Sequence, residues 1–167
     1  MKITGIDVGL KTGIVSFNKE TNQYIFSKFK FKKSLTFNDL FHNEEIKELL
    51  NNTDVLLLEW QNDSWGKSNS KTQFELQRKT HMFICLFSLL KPENDVYTIR
   101  SKEVVPFFKK YSSKSMTTRL GKKEGSLLGL KHNLKNINYL IKDNEDISDD
   151  ISDAFWFIQV FLNKIVV

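Results

Sequence analysis

The apolar positions of this chain change period along its length, and the change predicts its elements. Lys2–Val8 and Thr12–Phe17 read as two short strands joined by a Gly-containing turn. After a polar turn at Asn18–Asn22, residues Gln23–Lys32 hold Tyr24, Ile25, Phe26, Phe29 and Phe31, a β-forming set that predicts a third strand and an antiparallel meander. The period lengthens over Asn38–Leu50, where Leu40, Phe41, Ile46, Leu49 and Leu50 form one helical stripe. Asp54–Trp60 (DVLLLEW) is an unbroken apolar run ending in a charge, as expected of a strand covered on both faces. A polar loop over Asn62–Ser70 leads into a long helix, Lys71–Leu90, and Val96–Ile99 is a fifth strand. Ser101 can cap a helix over Lys102–Tyr111 that Pro106 should disturb. Residues 112–121 read as a flexible basic loop, and helices over Lys122–Leu140 and Ile147–Lys164 complete the chain. Three antiparallel strands followed by alternating helices and strands predict an α/β fold, a mixed five-stranded sheet with helices on both faces, in one domain over residues 1–167.

Composition supports a folded domain: 40% of the 167 residues are hydrophobic, including 14 Phe. The one cysteine, Cys85, rules out a disulfide framework and a Cys-based zinc site. MKITGID lacks the apolar core of a secretory signal, and no apolar run reaches membrane-spanning length, so a soluble, cytoplasmic protein without membrane contact is expected. Charge changes the picture more. Residues 100–135 hold ten Lys and Arg against two Glu, a local +8 that exceeds the +5 of the whole chain, and residues 143–153 then hold six acids. Basic stretches are often solvated faces, but segregation this sharp predicts a polyanion-binding surface beside a metal-binding one.

The acids themselves carry the chemistry. Asp7, in GIDVGLKTG, stands in an otherwise apolar strand, where an ionised carboxylate needs compensation. Glu59 closes the DVLLLEW strand, and Asp150 and Asp153 share one face at the start of the last helix. Taken singly, each has an ordinary structural reading, since strand ends and first helical turns commonly carry acids. If the two acidic strands are parallel neighbours and the last helix crosses them, the four carboxylates converge. They could not all remain ionised there without cations. All-oxygen ligation suits Mg²⁺, with Mn²⁺ able to substitute, and a pair of such ions about 3.5–4 Å apart is the usual means of in-line attack on a phosphodiester.

GIDVGLKTG on the first strand, LLLEWQ on the fourth and DDISDAFWFIQ at the last helix resemble the RuvC-type Holliday junction resolvases of the RNase H-like superfamily. The Lys, Asn and Phe bias gives the chain the look of a phage-encoded version. The resemblance implies an RNase H-like fold and a Mg²⁺-dependent endonuclease, with two ions per site held by Asp7, Glu59, Asp150 and Asp153. Asp149 and Asp146 are less favoured ligands. It implies branched DNA as partner, four-way junctions above all, and paired incisions that leave 5′-phosphate and 3′-hydroxyl ends. It also implies a homodimer built on the apolar helix HMFICLFSLL, which points to Phe83 and Phe87 at the interface. Lys102, Lys110, Lys114, Arg119, Lys122 and Lys123 are the expected DNA contacts, the first three also candidates for a catalytic lysine. Trp65, in the loop NDSWGKSNS, is the candidate wedge between bases, whereas Trp60 at the strand end is expected to be buried. Rival readings are an RNase H-like nuclease for flaps, forks or RNA–DNA hybrids, a non-catalytic junction-binding protein, and one lobe of a sugar-kinase-like ATPase, for which the chain is short.

Overall fold

A computed structural model describes residues 1–9, 11–32, 34–60, 70–142 and 146–165. Strands β1 (Lys2–Asp7), β2 (Lys11–Asn18), β3 (Gln23–Lys30), β4 (Val55–Glu59), β5 (Asp95–Ile99) and β6 (Asn138–Ile141) form one mixed sheet in the order β5-β4-β1-β2-β3-β6. The first three make the expected antiparallel meander, β4 and β5 run parallel to β1, and β6 runs parallel to β3. Helices α1 (Phe37–Phe41), α2 (Glu44–Asn51) and α3 (Ser70–Leu90) cover one face, where Leu40, Ile46, Leu50, Phe83 and Phe87 meet Ile6, Ile14, Leu56 and Leu58. Helices α4 (Ser101–Phe108), α5 (Arg119–Asn133) and α6 (Asp149–Ile165) cover the other, where Ile151, Phe155 and Ile158 meet Ile3, Val15 and Leu57. Among the described residues no helix is long and apolar enough to cross a membrane.

Strand alternation fixes what each face receives. On β1 the side of Ile3 continues through Gly5 to Asp7, and on β4 the side of Val55 and Leu57 continues to Glu59. Both acids therefore point to the face that α6 covers, and the parallel register that pairs Ile6 with Leu58 places them side by side.

Several expectations are corrected. The single helix over Asn38–Leu50 is two, because Asn43 accepts a hydrogen bond from the Ile46 amide (3.0 Å) and starts a second helix. The helix over Lys122–Leu140 stops at Asn133, and the sheet gains a sixth strand when Asn138–Ile141 pairs along the free edge of β3. Leu127, Leu130, Leu134 and Ile137 keep a helical spacing through this junction, so periodicity alone hides the strand. The helix after β5 is closed not by Ser101 but by Glu103, whose carboxylate accepts from the Arg100 amide at 2.7 Å.

Phe83 and Phe87, expected at a subunit interface, are fully buried in this chain's own core. The apolar side that α3 presents to solvent is instead the stripe of Phe74, Cys85 and Leu89, with Phe74 64% and Leu89 65% exposed. Trp60 is likewise not buried but 44% exposed. Trp65 lies outside the described residues. The basic loop is held by Glu124, which accepts from the Ser112 hydroxyl at 2.7 Å and the Ser113 amide at 3.1 Å and ion-pairs with Lys114 at 3.3 Å. Those donors, the Ser112 hydroxyl foremost, hold the Glu124 carboxyl down to about 2.

Candidate active site

The C-terminal ends of β1 and β4 open into a cleft of about 260 Å³ between the sheet and helices α4, α5 and α6. Its acidic wall is Asp7, Glu59, Asp149, Asp150 and Asp153, and facing it on α5 are Arg119, Lys122 and Lys123. Ser101, Val104, Phe108 and Phe157 complete the lining.

Two glycines allow this convergence. Gly13 lies opposite Asp7 in the β1–β2 register, and a Cβ there would come within 2.2 Å of the Asp150 carbonyl. A Cβ on Gly5 would come within 2.4 Å of the Ala154 carbonyl oxygen. The first two turns of α6 thus rest directly on the backbone of β1 and β2. That seating carries Asp150 and Asp153 to Asp7 and explains why a glycine precedes Asp7 by two residues and another closes the motif. Thr12, fully buried, ties the intervening turn together by exchanging hydrogen bonds with Gly9 at 3.1 and 3.2 Å.

Electrostatics show the cost of this crowding. Burial, then the charges of Asp153, Glu59, Asp150 and Asp149, hold the Asp7 carboxyl well above the ordinary carboxylate range. Asp153 is pushed up to about 6, chiefly by burial and by Asp149 and Asp150, against a lowering hydrogen bond from Ser126. Asp150 is raised by burial and by Asp149. Asp149 behaves differently. Burial would raise it, but its ion pair with Lys123 outweighs that and lowers it.

The donor set is that of a hard divalent cation: several carboxylates, no sulfur or imidazole, and repulsion that a cation would relieve. Among the described residues, no group of three or more His, Cys, Asp or Glu side chains is arranged to hold an ion as the side chains stand. As they stand, Asp153 accepts from the Ser126 hydroxyl (2.6 Å) and Asp149 is ion-paired with Lys123. By chemistry the site fits, with Asp7, Glu59, Asp150 and Asp153 as ligands. Asp149 differs from Asp150 in being ion-paired with Lys123.

Of the expected basic residues, Arg119, Lys122 and Lys123 line the cleft. Lys102 and Lys110 lie outside it on the exposed surface, Lys110 over the Tyr111 ring at 5.0 Å, and Lys114 is engaged by Glu124. The sequence reading missed Ser126, the hydroxyl partner of Asp153. Only its position one turn after Lys123 could have suggested it.

This mixed sheet, with acids ending its first and fourth strands beneath a C-terminal acidic helix, is an α/β arrangement that matches the RuvC-type, RNase H-like fold. No protein-family model and no curated protein matches the chain in sequence. Solved structures do match in shape. Thermus thermophilus RuvC in complex with Holliday junction substrate superposes with a TM-score of 0.62 at 12% identity, covering 99% of this chain and 96% of that one. The fowlpox virus resolvase, solved with Holliday junction DNA, covers 100% of both chains at a TM-score of 0.54 and 15% identity. The yeast mitochondrial Holliday junction resolvase covers 96% of this chain and 77% of its own at 0.54 and 12%. The fold expected from the sequence is therefore present, with one strand more than expected.

Proposed function

We propose that this protein is a divalent-cation-dependent endonuclease that nicks branched DNA and resolves Holliday junctions by paired incisions. One observation carries the reading: Asp7, Glu59, Asp150 and Asp153 meet in one cleft, where burial and then their mutual repulsion raise three of them, and Arg119, Lys122 and Lys123 line the same cleft. The structural likeness to proteins solved with junction DNA supports the substrate. A Mg²⁺ or Mn²⁺ pair bound by the four acids would supply activation of water and stabilisation of the departing oxygen. The chain's own residues do the rest. Arg119 and Lys122 hold phosphates of the incoming strand at the cleft mouth, by charge more than by base identity. Lys123 neutralises Asp149, which lowers the negative charge that a DNA backbone meets there. The direct test incubates a labelled synthetic four-way junction with the purified protein and Mg²⁺ and maps the cuts. Symmetric nicks with 5′-phosphate ends support it, and faster cleavage of flaps or RNA–DNA hybrids favours the broader nuclease reading.

Trp60 follows Glu59 at the end of β4 and is 44% exposed, and in this reading it takes the role of an aromatic that stacks on an unpaired base. Stacking of this kind is worth about 1–3 kcal/mol per base, so Trp60→Ala should cut junction cleavage roughly tenfold or more with little change in thermal stability. An unchanged rate with a large fall in Tm would instead make Trp60 a packing residue.

The homodimer implied by the resemblance is proposed to form through the exposed stripe of α3. Leu89→Asp places a charge on that stripe without entering the core, and should give a folded protein that sediments as a monomer. A folded, dimeric Leu89→Asp protein would place the interface elsewhere.

A further inference from the structure

Ser126 is the first residue of α5 beyond Lys123 to reach the acidic turn of α6, and it is 1% exposed. Its hydroxyl lies 2.6 Å from Asp153 Oδ1 and 2.9 Å from the hydroxyl of Ser152, which is itself fully buried. Each hydroxyl has one proton, and an ionised carboxylate can only accept. Ser126 therefore donates to Asp153, and Ser152 donates to Ser126. The result is an ordered chain of hydrogen bonds aimed at one carboxylate, each bond polarising the next. The backbone at the same residue is held as firmly, because the Ser126 carbonyl accepts from Trp156 Nε1 at 3.0 Å. Helix α5 thus meets the acids of α6 at two levels. A cation, Lys123, takes Asp149 out of the set, and one turn later a hydroxyl fixes Asp153 within it.

We propose that Ser126 is a positioning residue whose hydroxyl sets the orientation of Asp153 for divalent-cation binding. This rests on the reading of Asp153 as an ion ligand. The bond engages Oδ1 of a carboxylate that lines the cleft, so the carboxylate loses its rotational freedom before an ion arrives and less ordering is required on binding. The surrounding structure is consistent with a dedicated role. Ser126 is buried, where an unpaired hydroxyl would be costly, and one of its partners is an acid of the site.

The test measures Mn²⁺ binding to the full-length protein by the electron paramagnetic resonance of free Mn²⁺, for the wild type, Ser126→Ala and Ser126→Cys. Cys keeps the side chain's size but is a weak donor. Loss of a hydrogen-bond partner behind a metal ligand typically costs about 10–100-fold in ion affinity, and that is the expected loss in both variants. Binding of a four-way junction in chelator, which reports the placement of Arg119 and Lys122 on the same helix, should stay at the wild-type level. Saturating Mn²⁺ should restore the cleavage rate, a rescue that a distorted helix would not show. A Ser126→Ala protein that binds Mn²⁺ like the wild type overturns the positioning role alone. Parallel loss of junction binding, or unfolding of both variants, overturns it in favour of a purely structural serine. A wild-type protein that binds no Mn²⁺ overturns the cation-dependent reading itself, and the positioning role with it.

Discussion

Asp7→Asn should abolish junction cleavage, by at least about a thousandfold, while leaving junction binding intact and making the ion-free protein more stable. The first effect follows from removing one of the proposed ligands, since ion catalysis of phosphodiester attack is worth several kcal/mol. Binding persists because Arg119, Lys122 and Lys123 are untouched. The third effect is the more telling. Asp7 and Asp153 hold their protons to higher pH in the folded chain than in the unfolded one, so the native state binds more protons and stability falls as pH rises. For Asp153 the fall spans the interval from the ordinary 3.8 to about 6 and is complete at neutral pH. An uncharged amide at position 7 removes one member of the repelling set, and a gain of about 1–2 kcal/mol at neutral pH is expected in chelator. Below the ordinary carboxylate pKa, where the acids are protonated in both states, the gain should vanish. Added Mn²⁺ should raise the Tm of the wild type at neutral pH and much less that of Asp7→Asn. Thermal melts with and without Mn²⁺ at the two pH values measure all of this. An Asp7→Asn protein that cleaves normally in Mg²⁺ would falsify the assignment of Asp7.

Gly13→Ala should damage the site without touching any acid. The new Cβ would sit 2.2 Å from the Asp150 carbonyl, far inside contact distance, and the obstacle is backbone, which cannot turn aside as a side chain could. The first turn of α6 must lift off β2, carrying Asp150 and Asp153 away from Asp7 and Glu59. Overpacking of this kind costs about 1–3 kcal/mol, or more where backbone must move. Cleavage should fall far more steeply than stability, because a displacement of about 1 Å at reacting groups can cost on the order of a hundredfold in rate. Gly9→Ala is the comparison, since its closest obstacle is the Lys11 carbonyl in the turn, not α6. A folded Gly13→Ala protein with wild-type cleavage would show that α6 does not need this seat.

The sequence by itself determined the elements whose pattern is strong and local. The β1–β3 meander, the parallel strand ending in Glu59, the long α3 and the final helix were legible because alternation, an unbroken apolar run and a helical stripe each have one structural solution. The three-residue spacing put Asp150 and Asp153 together, whereas the face shared by Asp7 and Glu59 followed from the β1–β4 register. Tertiary structure alone decided what depends on partners distant in the chain. Asn138–Ile141 becomes a strand because β3 offers a free edge, not because its residues demand it. Phe83 and Phe87 enter the core because α1 and α2 lie over the sheet beside them, so an all-round apolar helix carried no information about which side faces solvent. Within the site, the three-residue spacing to Asp153 favoured Asp150 over Asp149. What no local pattern encodes is the crossing of α5 and α6, by which Lys123 meets Asp149 and Ser126 meets Asp153, residues 26 and 27 positions apart.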